Sequence, residues 1–196
     1  MPEKSPVALI TGGAGALARA TRAELDSQGW RVHSPSHGAM AVPAQAEVPR
    51  VCGELGRIDL LIHNAGITRD ALMLKMTEAE FSDVLAVHLK GAFLCSQAAL
   101  KLMVQQHSGH IVNIGSFSAL CGRSGQANYA AAKAGLIALT QSIAAEYGAR
   151  GIRANCVLPG FLDTKMTRHL LTDQTQRERV LAAHTLGRLN TPAEAA

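Results

Sequence analysis

The apolar run Val7-Ala-Leu-Ile10 breaks into Thr11-Gly-Gly-Ala-Gly-Ala-Leu-Ala18, and a helical pattern then continues to about Gln28, where Gly29 closes it. Four apolar residues bounded this way suit a buried strand better than a helix. The small-residue loop lets the backbone turn sharply and begin a helix whose first N–H groups are bare. The pattern recurs along the chain. Ile58-Asp-Leu-Leu-Ile62 runs into His63-Asn64-Ala65-Gly66, Ile111-Val-Asn-Ile-Gly115 into Ser116, and Arg153-Ala-Asn-Cys-Val-Leu158 into Pro159-Gly160. Strands alternating with helices predict an α/β fold: one Rossmann-like, doubly wound parallel sheet with helices on both faces.

Trp30-Arg-Val-His33 reads as the second strand. Pro35, Pro43 and Pro49 interrupt the next stretch, where only a short strand at Ala39 to Val42 and a short helix at Arg50 to Leu55 fit. Thr77 and Glu80 have the spacing of a capping box. They should open a long amphipathic helix to about Gln106, broken near Lys90-Gly91. Ala130 to Tyr147 reads as another helix. Lys165 to Ala196 is polar and helical in pattern, with no further strand.

With 196 residues the chain is read as a single domain spanning 1–196. Its formal charge of +4 comes from scattered residues, so no basic stripe marks a nucleic-acid surface. The excess would suit an acidic small ligand or an acidic carrier protein. Cys52, Cys95, Cys121 and Cys156 are far apart and read as reduced thiols, and no apolar run reaches membrane-span length. A cytoplasmic setting is expected, with the mitochondrial matrix left open. The eight histidines form no metal-binding motif, so no metal is expected.

The chemistry concentrates between Ser116 and Lys133. Tyr129 and Lys133 stand four apart on one predicted helical face, so the ammonium can lie beside the phenol. A cation there should favour the phenolate and lower a pKa that is otherwise about 10. Ser116, at a strand end, could offer a hydroxyl to a carbonyl group. Taken singly, each has a plain structural reading: a strand-end cap, a packed aromatic, a solvated charge.

Together with Thr11-Gly12, Asn64-Ala65-Gly66 and Pro159-Gly160, in that order, these residues resemble the short-chain dehydrogenase/reductase family. The resemblance covers the chain from Val7 onward. It is nearest to the 3-oxoacyl-[acyl-carrier-protein] reductases, through residues 64–70, 125–136 and 159–167. It implies hydride transfer between a nicotinamide cofactor and a carbonyl carbon. Tyr129 would protonate the alkoxide, Ser116 would polarise the carbonyl, and Lys133 would tune Tyr129 and bond the nicotinamide ribose. The glycine loop, with Thr11, Gly12, Gly15, Ala16 and Leu17, would meet the cofactor phosphates. Asn64, Ala65 and Gly66 would line the adenosine side, and Pro159, Gly160 and Thr164 the nicotinamide end.

The implied reaction is NAD(P)H-dependent reduction of a 3-oxoacyl thioester. The same fold also serves alcohol, ketone, quinone or sugar dehydrogenases, and Met166 to Leu171 gives no substrate signature. A catalytically weak assembly subunit is the third reading. Arg150, with His107 nearby in pattern, matches basic positions that relatives use to dock acyl carrier protein. The helices Phe81 to Gln106 and Ala130 to Tyr147 are those the family pairs in homotetramers or dimers.

Several positions depart from the family pattern. Ala16 and Ala18 stand where glycine is usual, and each methyl is either absorbed or pushes the cofactor outward. Gly15 replaces an arginine common in NADPH-preferring relatives. No acidic residue ends the second strand, which points to NADP, with Ser34, Ser36 and His37 as phosphate contacts or simply a polar loop. His88 falls at the asparagine of the family's proton relay. Its carbonyl could preserve the relay, while its imidazole could titrate near neutrality. The 34–56 segment is shorter than in relatives, and the last family strand is absent. The chain is therefore expected to lack a C-terminal part rather than to be naturally reduced.

Overall fold

The computed structural model describes residues 5–35, 50–164, 167, 174–182 and 184–196. Five strands, β1 (Val7–Ile10), β2 (Arg31–His33), β3 (Leu60–His63), β4 (Gly109–Ile114) and β5 (Ile152–Val157), form one sheet in the order β2-β1-β3-β4-β5. Every pairing is parallel; Leu9 lies beside Leu61, and Leu61 beside Ile111. The expected strand at Ala39 to Val42 lies outside the described residues.

Alternation along the strands sorts the core into two layers. Leu9, Leu61, Ile111 and Ile152 face α2 (residues 50–55), α4 (Gly91–Gln106) and α6 (Ala127–Tyr147), through Val51, Cys95, Met103 and Ile143. Ala8, Ile10, Leu60 and Ile62 face the opposite way, against Ala18 and Leu25 of α1 (Ala16–Ser27). Burial on both faces explains why these strands read as unbroken apolar runs. Met103 is fully buried, and a Cβ on Gly109 would strike its side chain. Truncating such a residue to alanine costs about 2–5 kcal/mol.

The capping box at Thr77 forms as expected: Glu80 N–H donates to Thr77 Oγ1 at 3.2 Å, and Thr77 N–H donates to the Glu80 carboxylate at 2.8 Å. The helix it opens is α3 (Glu78–Leu85). The predicted break is not a gap but a π-turn over Ala86–Lys90, which leads directly into α4. Its wider winding turns Val87 and His88 inward as neighbours. Gly135 of α6 packs against it so closely that an added Cβ would lie 2.8 Å from Leu89 Cδ2.

Two short elements had no sequence signal: α5 (Ser118–Cys121), and the start of α6 at Ala127 rather than Ala130. The described C-terminal stretch holds α7 (Gln174–Ala182) and α8 (Pro192–Ala195), the second opened by a Thr191–Glu194 capping box and packed against α1. Among the described residues no helix is long and apolar enough to cross a membrane.

Candidate active site

Because all five strands run parallel, their carboxyl ends share one edge of the sheet. Thr11 follows β1, Ser34 follows β2, Asn64 follows β3, Ser116 follows β4 and Pro159-Gly160 follows β5. Nearly every residue singled out by sequence therefore converges there. The neighbours of β1 are β2 on one side and β3 on the other, a reversal that opens a crevice at this edge.

The glycine loop is bound to the loop after β3. Thr11 Oγ1 accepts the N–H groups of Asn64 and Ala65, both at 3.1 Å. Asn64 Nδ2 donates in return to the carbonyls of Thr11 and Gly12 at 3.4 and 3.3 Å. Gly12 has φ +71°, and a Cβ there would lie 2.7 Å from Ala65 Cα. Both conformation and space demand glycine.

Gly15 is the N-cap of α1, and no side chain caps that helix. Its first-turn N–H groups and the helix dipole are left for an anion, as a pyrophosphate requires. Leu17 buries its side chain, so only its backbone can serve a ligand. Ala18 is absorbed rather than obstructive: its methyl is buried among Ala8, Ile10, Leu60 and Ile62. Ala16 is half-buried at the first helical position.

Ser34 departs from expectation. Its hydroxyl is turned inward against Gly13 and has no hydrogen-bond partner among the described residues. That orientation does not present it to a phosphate. Ser36 and His37 lie outside the described residues, as does the run Met166 to Leu171 except for Thr167.

The central trio is assembled by α6 and β4. Asn128, fully buried, donates through Nδ2 to the carbonyls of Arg69 (2.9 Å) and Glu80 (3.1 Å), while its Oδ1 accepts the Tyr129 N–H at 2.7 Å. This fixes the first turn of α6. One turn later, the buried Lys133 donates from Nζ to the Ile114 carbonyl at 2.6 Å, at the end of β4 beside Ser116. Nζ lies 5.5 Å from the Tyr129 ring centroid.

Burial raises the Tyr129 phenol pKa; the Ser116 hydroxyl pulls it back, and the Asp70 carboxylate raises it further. The net direction is therefore upward, opposite to the lowering expected from Lys133, whose Nζ donates to Ile114 and lies over the phenol ring. Burial instead brings Lys133 itself down to about 8.

Beneath the trio lie two buried imidazoles. His63 Nε2 is 3.1 Å from the His88 carbonyl, which can only accept, so Nε2 carries the proton. Burial, with the Lys133 charge adding to it, brings the His63 pKa down to about 3, so the ring is neutral and Nδ1 is bare. The Thr11 hydroxyl, 3.2 Å away, must then donate to Nδ1.

His88 Nε2 faces both backbone groups of Ile67, the carbonyl at 2.8 Å and the N–H at 3.1 Å. One nitrogen can match only one of them, and His88 Nδ1 has no partner among the described residues. An added Cβ on Gly66 would collide with the His88 ring, so this glycine makes room for the imidazole. The ring meets Tyr129 edge-on, at 5.2 Å between centroids and 86° between planes. Burial and the Lys133 charge bring His88 to about 3 as well, so it does not titrate near neutrality as its residue type suggested.

Pro159-Gly160 leads into a segment held by His184, whose Nε2 accepts the Phe161 N–H at 3.2 Å. Thr164 is engaged with Thr167: its N–H donates to Thr167 Oγ1 at 3.1 Å, and the two hydroxyls are 3.2 Å apart. Gly151, next to Arg150, packs against His107, since a Cβ on Gly151 would strike the His107 carbonyl. Arg150 and His107 both precede their strands, however, and six-residue β4 and β5 separate them by roughly 20 Å from the edge that holds Ser116. They do not flank this chain's own crevice. His63 was not singled out by sequence; a polar residue closing an otherwise apolar strand run was the available signal.

The short chain dehydrogenase family profile matches residues 40–175. The 3-oxoacyl-[acyl-carrier-protein] reductase FabG of Escherichia coli (strain K12) is 38% identical over 212 residues, covering 97% of this chain and 86% of that protein. The 3-oxoacyl-[acyl-carrier-protein] reductase of Synechocystis sp. (strain ATCC 27184 / PCC 6803 / Kazusa) is 37% identical over 216 residues, with 97% and 85% covered. Among solved structures, the TT0495 protein from Thermus thermophilus superposes with a TM-score of 0.90 at 29% identity, covering 98% of this chain and 88% of that one. The structure of gox2181 gives 0.85 at 30% identity, with 98% and 86% covered.

Proposed function

The chain belongs to the short-chain dehydrogenase family, NAD(P)-dependent oxidoreductases acting on an alcohol or carbonyl, and from that premise we propose that it reduces 3-oxoacyl thioesters to 3-hydroxyacyl thioesters. The observation that carries the proposal is the convergence of Ser116, Tyr129 and Lys133 at the carboxyl edge of the sheet, beside an uncapped helix N-terminus. The names of the relatives at 37–38% identity support the substrate class.

When bound, a nicotinamide cofactor supplies the hydride. The residues of the chain do the rest. Ser116 donates to the carbonyl oxygen and draws charge toward it. Tyr129 keeps its proton through neutral pH, because burial raises its pKa, and passes that proton from the phenol to the developing alkoxide. Lys133 holds a positive charge beneath the phenol until pH approaches about 8 and offers N–H donors to the ribose. Thr11, Gly12, Gly15, Ala16 and the Leu17 backbone form the phosphate side, Asn64, Ala65 and Gly66 the floor, and Pro159, Gly160 and Thr164 the nicotinamide end.

NADPH is the favoured cofactor. Ser34-Pro35 after β2 offers no carboxylate to repel a 2′-phosphate, and the net charge is positive. The buried Ala18 methyl weighs against an inert assembly subunit. Steady-state assays of acetoacetyl-CoA, simple ketones and sugars with NADPH and NADH test the reading. Thioester reduction with NADPH, lost by roughly 100-fold or more in Tyr129→Phe while NADPH still binds, is the expected result. Ketone turnover without thioester turnover overturns the substrate assignment.

A further inference from the structure

We propose that His63 is a positioning residue that ties Tyr129 to the glycine loop through His88. The inference rests on the reading of Tyr129 as the proton donor.

Contacts run without interruption from one to the other. Thr11 gathers two N–H groups of the loop after β3 and donates its own proton to His63 Nδ1. His63 Nε2–H holds the His88 carbonyl on the π-turn, and the His88 ring abuts the Tyr129 ring at 5.2 Å. His63 is 2% exposed, and both its nitrogens are engaged in a single tautomer. A neutral imidazole with one donor and one acceptor, at this spacing, fits the two neighbours with no redundancy. The π-turn needs such a hold. His88 cannot satisfy both Ile67 groups, so its side chain by itself leaves the turn under-determined.

Side-chain length separates the two legs. Asparagine has polar atoms only at the δ position, so it can keep the Thr11 hydroxyl and loses reach to the His88 carbonyl. Glutamine places them at ε, so it can keep the His88 carbonyl and leaves Thr11 unmatched. With the full chain, NADPH and acetoacetyl-CoA, His63→Asn should lower kcat about tenfold with KM for NADPH within about twofold. His63→Gln should keep kcat within about twofold and raise KM for NADPH severalfold.

A second readout needs no turnover. The chain has two tyrosines, so in a Tyr147→Phe background the 295 nm absorbance titrates Tyr129 alone. In His63→Asn the phenol should ionise at lower pH than in the parent, because the ring is no longer held in its buried place; in His63→Gln it should not move. The proposal is overturned if the two variants lose kcat and KM together in step with their melting temperatures, or if the phenol titration is the same in all three proteins. If the parent reduces no 3-oxoacyl thioester, the substrate reading falls, and the phenol titration still decides the role of His63.

Discussion

His63 and His88 make the acid stability of this protein unusual at the residue scale. An unfolded histidine titrates near 6.5, whereas both buried rings stay neutral to about 3. Their folded pKa is depressed, so the stability they contribute is complete above pH 6.5 and is lost progressively as pH falls toward 3. At pH 4.5 the pair should have removed about 5 kcal/mol. Urea unfolding from pH 7 to 4.5 should show this loss, and His88→Asn should reduce the proton uptake on unfolding by about one. An unchanged slope would mean that His88 titrates normally.

Lys133 sets the opposite limb. Its ammonium is buried with a depressed pKa of about 8, so the rate of carbonyl reduction should fall as pH rises past that value. Lys133→Met removes a desolvated charge. It should abolish turnover without lowering the melting temperature at pH 7, a separation that a merely structural lysine would not show.

At the scale of elements, one side chain joins three of them. Asn128 bonds the start of α6 to the middle of the loop after β3 and to the first turn of α3. Asn128→Ala removes three hydrogen bonds made by one fully buried side chain, and should cost about 2–4 kcal/mol in denaturant unfolding. kcat should fall with it, because Tyr129 is the next residue. An effect under about 0.5 kcal/mol would show that packing alone sets the helix. The asparagine was legible only as part of a family motif; its partners are 48 and 59 residues away, and no local pattern encodes them. The capping box at Thr77 is the contrary case, readable because both its bonds close within four residues. The π-turn falls between: Lys90-Gly91 hinted at a break, but the turn is set by how α6 packs against Leu89 through Gly135.

For the whole molecule, parallel pairing puts the loops that follow all five strands at one edge, the edge proposed for the cofactor. Hydrogen exchange with and without NADPH should therefore slow in 11–18, 64–67, 115–118 and 159–164. Exchange at 57–59, 107–109 and 150–152, at the opposite edge, should be unchanged. Protection at the amino edge instead would move the cofactor site. The arrangement separates Arg150 and His107, which the family resemblance suggested as carrier-docking positions, from Ser116 by the length of a strand.

Strands, helices and the order of the motifs were determined by the chain itself, since alternation, glycine loops and an i, i+4 pair are local patterns. Tertiary structure alone decided the charge states. Tyr129 and Lys133 have the spacing of a cation lowering a phenol, yet burial raises the phenol and depresses the lysine, whose Nζ turns to Ile114. Desolvation depends on what every other element places around a group, and no window of sequence contains that. For the same reason the Ala18 methyl is taken up by the core, Ser34 is turned inward, and His63 and His88 lie buried between the glycine loop and the phenol.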